Sequence, residues 1–87
     1  MFEDESPVAW IGIPRHASVI AADGSEIGTV ESVLGDQDED IFHGLVVHRG
    51  GGLVEVPAAR VKKMTERHVV TDLAASDVGT LAPYRKR

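Results

Sequence analysis

The chain contains no cysteine, which removes disulfides, thiolate metal sites and cysteine nucleophiles at once. Aromatic residues are scarce: one Trp, one Tyr and two Phe in 87 residues. No apolar run approaches the roughly 18–20 residues of a membrane-spanning helix, and the acidic start has the wrong charge for a secretory signal. The expectation is a cytoplasmic protein with no membrane span. Basic residues are nearly missing from the first half. Residues 1–40 hold ten acids and one base, Arg15, whereas residues 41–87 hold eight bases and four acids. The net charge of −5 hides that division, which bears on partners and not on fold.

What the chain does have is glycine turns between short β-branched runs. In Ser18 to Leu34, an apolar run stops at Asp23-Gly24 and another starts at Ile27, the strongest short hairpin signal. A two-residue turn with positive φ at both central residues pairs Ala22 with Ser25, Ile20 with Ile27 and Ser18 with Thr29. The change of side between Ile27 and Val30 predicts a bulge at Gly28 or Thr29. Phe42 to Arg49 and Leu53 to Pro57 form the next hairpin, turned by Gly50, Gly51 and Gly52. Pro57 to Arg60 reads as a short helical turn, Val61 to Met64 as a strand, and His68 to Leu73 as the last strand. A short helix around Ala74 to Val78 follows, capped by Asp72, with Leu81 and Tyr84 pinning it back.

Residues 1–7 (MFEDESP) read as a disordered acidic arm, residues 8–84 as one domain, and residues 85–87 as a basic tail. VAWIGIP, closed by Pro14, reads as a first strand or covering segment with Trp10 as its plug. Its alternative role is a partner contact, because aromatic anchors dominate interfaces.

The order of these motifs resembles the PRC-barrel domain family. AADGSEIGTVESVLGD is similar to its opening, HGLVVHRGGGLVEVPAARV to its middle and HVVTDL to its closing strand, a likeness running from Pro14 to Leu73. It implies a small all-β, antiparallel β-barrel of five to six strands, here with a short C-terminal helix. Relatives include the cytoplasmic domain of the reaction-centre H subunit and the C-terminal domain of ribosome maturation factors. The likeness implies an adaptor role in assembling larger complexes.

Site chemistry is sparse. Asp36, Asp38, Glu39 and Asp40 begin like a calcium loop, but Ile41 stands where that loop needs Gly and Val47 where it needs Glu. The four histidines lack zinc-site spacing, and His43 and His48 fall on opposite strand faces, one inward or at the rim and one outward. The glycines at 50–52 lack the Lys-Ser/Thr pair of a phosphate loop. No serine sits in a nucleophile elbow, and a small barrel filled by side chains leaves no substrate pocket. The expectation is a non-enzymatic protein-interaction module without metal, cofactor or small-molecule substrate. Its partner-binding candidates are Arg60, Lys62, Lys63 and Arg67, with Trp10 as apolar anchor. The opposed charges also fit a homodimer. An RNA- or ribosome-associated role is the second reading, set back by the acidic charge and the lack of stacking aromatics near the cations. Weak divalent-ion binding or an enzyme ranks below it.

Overall fold

The computed structural model describes residues 2–84; the basic tail at 85–87 lies outside them. The first hairpin joins β1 (Ser18–Ile20) to β2 (Glu26–Asp36). Its loop is one residue longer than the sequence pattern predicts. Gly24 N–H donates to the Ala21 carbonyl at 3.0 Å and Ala21 N–H to the Ser25 carbonyl at 2.8 Å. Gly24, at φ 92°, takes a positive angle and Asp23 does not, so this is a type I-like turn followed by a left-handed glycine. The Asp23 carboxylate serves the turn by accepting from Ser25 N–H at 2.9 Å and Oγ–H at 2.6 Å. Ser18 still pairs with Thr29, but Ile20 pairs with Glu26. The extra residue is absorbed at Ile27, not at Gly28 or Thr29, and both isoleucines stay in the core.

β2 is the longest strand and bends again against β3 (Ile41–Arg49), where Glu31 and His43 fall between paired positions. By period His43 shares a face with Leu45 and Val47, but the bulge at His43 breaks the alternation, and neither His43 nor His48 points inward: both are exposed. β4 (Gly52–Pro57), β5 (Val61–Met64) and β6 (His68–Thr71) follow, then the one-turn helix α1 (Ala75–Val78). The sheet order is β4-β3-β2-β1-β6-β5. Every pair is antiparallel except β1 with β6, which runs parallel with Val19 beside Val69. The chain crosses from one edge to the other before turning back, so β6 arrives at β1 in the same direction.

That crossing curls the sheet. Its two edge strands, β4 and β5, are joined by a single 3₁₀ turn at Ala58–Arg60. A connection this short spans at most roughly 14 Å at 3.3–3.6 Å per residue, so the edges come together although no ladder closes them. The result is a small barrel open at one seam. The 58–60 turn packs on β3, and four successive residues, Gly44, Leu45, Val46 and Val47, are therefore buried. Val19, Val30, Leu45, Val47, Val56 and Val69 form the centre of the core, each sealed from solvent or nearly so. Burying one such side chain stabilises the fold by about 1.5–3 kcal/mol.

Both ladder edges are covered, as edges exposed to other chains invite aggregation. Along β4, Glu55 N–H donates to the Ala82 carbonyl at 2.9 Å and Tyr84 N–H to the Leu53 carbonyl at 2.9 Å. Along β5, Val8 N–H donates to Met64 at 3.0 Å and Glu66 N–H to Ser6 at 3.1 Å, with Pro7 bridged to Thr65. The acidic arm, expected to be disordered, thus lies on the β5 edge, where the unpaired backbone groups of that strand give it partners. α1 also departs from expectation. The helix starts at Ala75 with Ala74 as its N-cap, two residues past Asp72, and Asp77 in its first turn accepts the Ala74 N–H at 3.0 Å. No helix among the described residues is long and apolar enough to cross a membrane.

Candidate protein-docking site

The cations at 60–67 do not form one surface. Arg60 leads into β5 and reaches back to the segment after β6, its Nε donating to Asp72 Oδ1 at 2.6 Å and its Nη2 to Asp77 Oδ2 at 3.3 Å. Lys62 Nζ stands 3.5 Å from the other oxygen of Asp72. The Arg60 guanidinium holds the Asp72 carboxyl below the ordinary carboxylate range. These two bases tie the β4–β5 crossing to the start of α1. Lys63 is half-buried in β5 and acts electrostatically on Glu3. Arg67 sits at the other end of the β5–β6 hairpin, in its turn. It is exposed and pairs with no carboxylate among the described residues.

Trp10 sits on a different segment from Arg60 and Lys62. VAWIGIP is not a strand: Trp10–Gly12 forms one 3₁₀ turn, and Trp10 covers the β2–β3 hairpin tip. Its indole stacks on Phe42 with centroids 5.8 Å apart and 17° between planes, and Nε1 donates to Asp40 Oδ1 at 2.9 Å. Gly35 lies directly beneath the six-membered ring. Val8 is held at Met64, two residues before Trp10. The segment therefore runs from the β5–β6 corner to the β2–β3 tip, which associates Trp10 with Arg67 sooner than with Arg60. Ile11, beside Trp10, is 54% exposed.

The β5–β6 corner holds the most elaborate polar group in the fold. Thr65 is fully buried. Its hydroxyl donates to Glu5 Oε1 at 2.6 Å and accepts from His68 N–H at 3.1 Å. His68 Nδ1 lies 2.9 Å from Oε1 and 2.8 Å from Oε2 of Glu5. Phe2 stacks on the His68 ring at 3.6 Å and 11°. Nothing in the sequence marks this group, because Glu5 is sixty residues or more from its partners and sits among other acids.

Hydrogen bonds from His68 and Thr65 hold the Glu5 carboxyl below its usual 4.5. A carboxyl that binds its proton less tightly when folded stabilises the fold above the unfolded value, and that contribution is lost as pH falls through the folded one. Glu5→Gln should therefore melt at lower temperature than wild type near pH 5.5, with the gap narrowing as pH drops below about 4.5. A gap that stays constant between pH 5.5 and pH 3 would show that the Glu5 charge does not act there.

The acidic loop is a turn. Asp36 Oδ1 accepts from Asp38 N–H at 3.0 Å and from Glu39 N–H at 3.3 Å, and Asp40 holds Trp10. No three acids or histidines among the described residues converge as metal ligands. A shallow recess of about 160 Å³ is lined by Ser25, Glu26, Ile27, Arg49 and Val78, and Arg49 Nη1 closes one side by donating to the Ile27 carbonyl at 3.1 Å.

A curled, six-stranded mostly antiparallel sheet with a one-turn helix, whose ordered side-chain groups lie at its corners, defines a small β-barrel domain. A family model for the PRC-barrel domain matches residues 14–78, most of the chain. The chain belongs to the PRC-barrel family. The matched span runs past Leu73 and takes in α1. A search of curated proteins finds no match.

Proposed function

We propose that this PRC-barrel domain is a non-catalytic, cytoplasmic protein-interaction module that helps to assemble a larger complex. PRC-barrel domains are often modules of that kind, and the observation that carries the reading is Trp10 with Ile11. The indole is fixed in place by Asp40 and Phe42, and Ile11 stands exposed beside it. An anchor immobilised before binding loses little side-chain entropy when a partner covers it. Arg67, exposed at the β5–β6 corner, supplies a cation with no carboxylate partner among the described residues. Arg60 and Lys62 serve this surface only by bracing β5, since Asp72 and Asp77 already hold them.

The test is affinity capture from native extract with the whole chain as bait, with and without RNase. Beside wild type run Ile11→Asp with Arg67→Glu, and Arg60→Ala with Lys62→Ala. A protein captured through RNase treatment, lost with the first pair and kept with the second, is the expected result. Partners that vanish only with RNase would replace this reading by the RNA-associated one. Light scattering at high protein concentration decides self-association, a mass of 9.3 kDa meaning that the partner is not a second copy.

A further inference from the structure

We infer that the β5–β6 corner is a peptide-binding site for a segment that turns between an aromatic residue and a carboxylate three positions later and then runs extended along β5, and that the chain's own arm is its resident occupant. The inference rests on reading the domain as a protein-interaction module and names the chemistry of a partner for it. Three features of the corner recognise such a segment. The first is a niche for one carboxylate, with the Thr65 hydroxyl and the His68 Nδ1 converging on Glu5. Two side-chain donors close on one carboxylate, one of them from a fully buried residue, make a defined seat for an acid.

The second feature is a flat aromatic seat. The His68 imidazole, its Nδ1 engaged with Glu5, carries the Phe2 ring on its face at 3.6 Å. The arm turns between these two contacts, with Glu5 N–H donating to the Phe2 carbonyl at 3.1 Å, so spacing between ring and acid is fixed. The third feature is the backbone edge of β5. The Met64 carbonyl and the Glu66 N–H pair with Val8 and Ser6, the strand-addition mode by which sheet edges take up peptides regardless of side chain. Backbone pairing supplies affinity, and the carboxylate and ring supply selection.

The arm occupies the site from the same chain. A short tether gives it an effective concentration in the millimolar range, so a competing segment must bind more tightly or the arm must first be displaced. A partner bearing the same ring-and-acid spacing exchanges with the arm at no loss of contacts at the corner. This makes the arm a selectivity filter, since segments lacking either group cannot displace it.

The probe is a synthetic peptide of the arm, FEDESPVA, titrated by NMR into the full chain and into its Glu5→Lys variant, whose arm no longer fits the niche. Far-ultraviolet circular dichroism and Trp10 emission establish that the variant is folded. The expected result is saturable shifts of the Thr65 and His68 resonances in Glu5→Lys, with at least tenfold more peptide needed for wild type. The peptide FEDQSPVA should bind Glu5→Lys at least tenfold more weakly, a comparison that leaves the protein unchanged. Equal binding of both peptides, equal binding by both chains, or no binding to folded Glu5→Lys would each overturn the inference. A doubled wild-type mass at millimolar concentration that reverts in Glu5→Lys would overturn it in favour of arm exchange between copies. If the peptide fails while capture through Trp10 and Ile11 succeeds, the module reading stands and only this site falls. Peptide binding with no captured protein has the reverse meaning.

Discussion

Leu45→Ala should cost the domain about 2–5 kcal/mol of folding stability, the range for large-to-small changes in packed cores. Leu45 is fully buried at the middle of β3, in register with Val33 on β2 and Val56 on β4. Its side chain lies in the central cluster with Val19, Val30, Val47, Val56 and Val69, held by pairing on both sides of the strand. The cost should fall in the upper part of that range. A domain of 87 residues has a total stability of roughly 4–13 kcal/mol at 0.05–0.15 kcal/mol per residue. The variant should therefore be partly unfolded at 37 °C. Urea denaturation followed by Trp10 emission measures the loss directly. A change below about 1 kcal/mol would mean that the barrel repacks around the site.

The same strand shows how far the sequence could be read. The turn glycines and the Val-rich runs give the strand boundaries of β3, β4 and β5 to within a residue, because local chemistry decides them. Bulges are different. Whether the extra residue of the first hairpin falls at Ile27 or at Gly28 depends on a loop one residue longer than Asp23-Gly24 implies, and that choice is made by packing both isoleucines inward. His43 likewise shares a face with Leu45 and Val47 by period and is released from it by a bulge that no residue type announces.

The candidate site was legible only in part. Trp10 stands out by scarcity, and its reading as a covering plug fits the β2–β3 tip it caps, with Ile11 exposed beside it. The cations looked like one cluster because Arg60, Lys62, Lys63 and Arg67 are close in sequence. Four residues of extended strand carry Arg60 and Arg67 to opposite ends of a hairpin, and Asp72 and Asp77 arrive from further along the chain to neutralise one end. The Glu5 niche was invisible. Its donors are ordinary residues joined only by the return of the arm to β5, a tertiary event that composition and period do not encode.

Gly35→Ala tests whether the Trp10 surface depends on the hairpin beneath it. A β-carbon at that position would lie 2.7 and 2.8 Å from Cζ3 and Cη2 of Trp10 and 2.5 Å from the Ile41 carbonyl oxygen. The carbonyl belongs to the paired strand, so its clash is relieved only by shifting the ladder at the hairpin tip, and the indole must move as well. The ring then leaves Phe42, and its Nε1 loses Asp40. Overpacking of this kind costs about 1–3 kcal/mol, and the larger effect is on the surface. Because the chain has a single tryptophan, emission reports this residue alone, and it should shift to longer wavelength in folded Gly35→Ala. Asp40→Ala separates the two anchors by removing the hydrogen bond while leaving the stack, and it should shift emission less. If Trp10 is the docking anchor, capture of the partner should fall at least tenfold with Gly35→Ala although Ile11 and Arg67 are unchanged. Emission that moves while capture does not would assign Trp10 to the fold alone and leave Ile11 and Arg67 as the contact. An unchanged emission maximum and melting temperature together would mean that the hairpin tip yields to the methyl group, and that Trp10 is not held as its two partners imply.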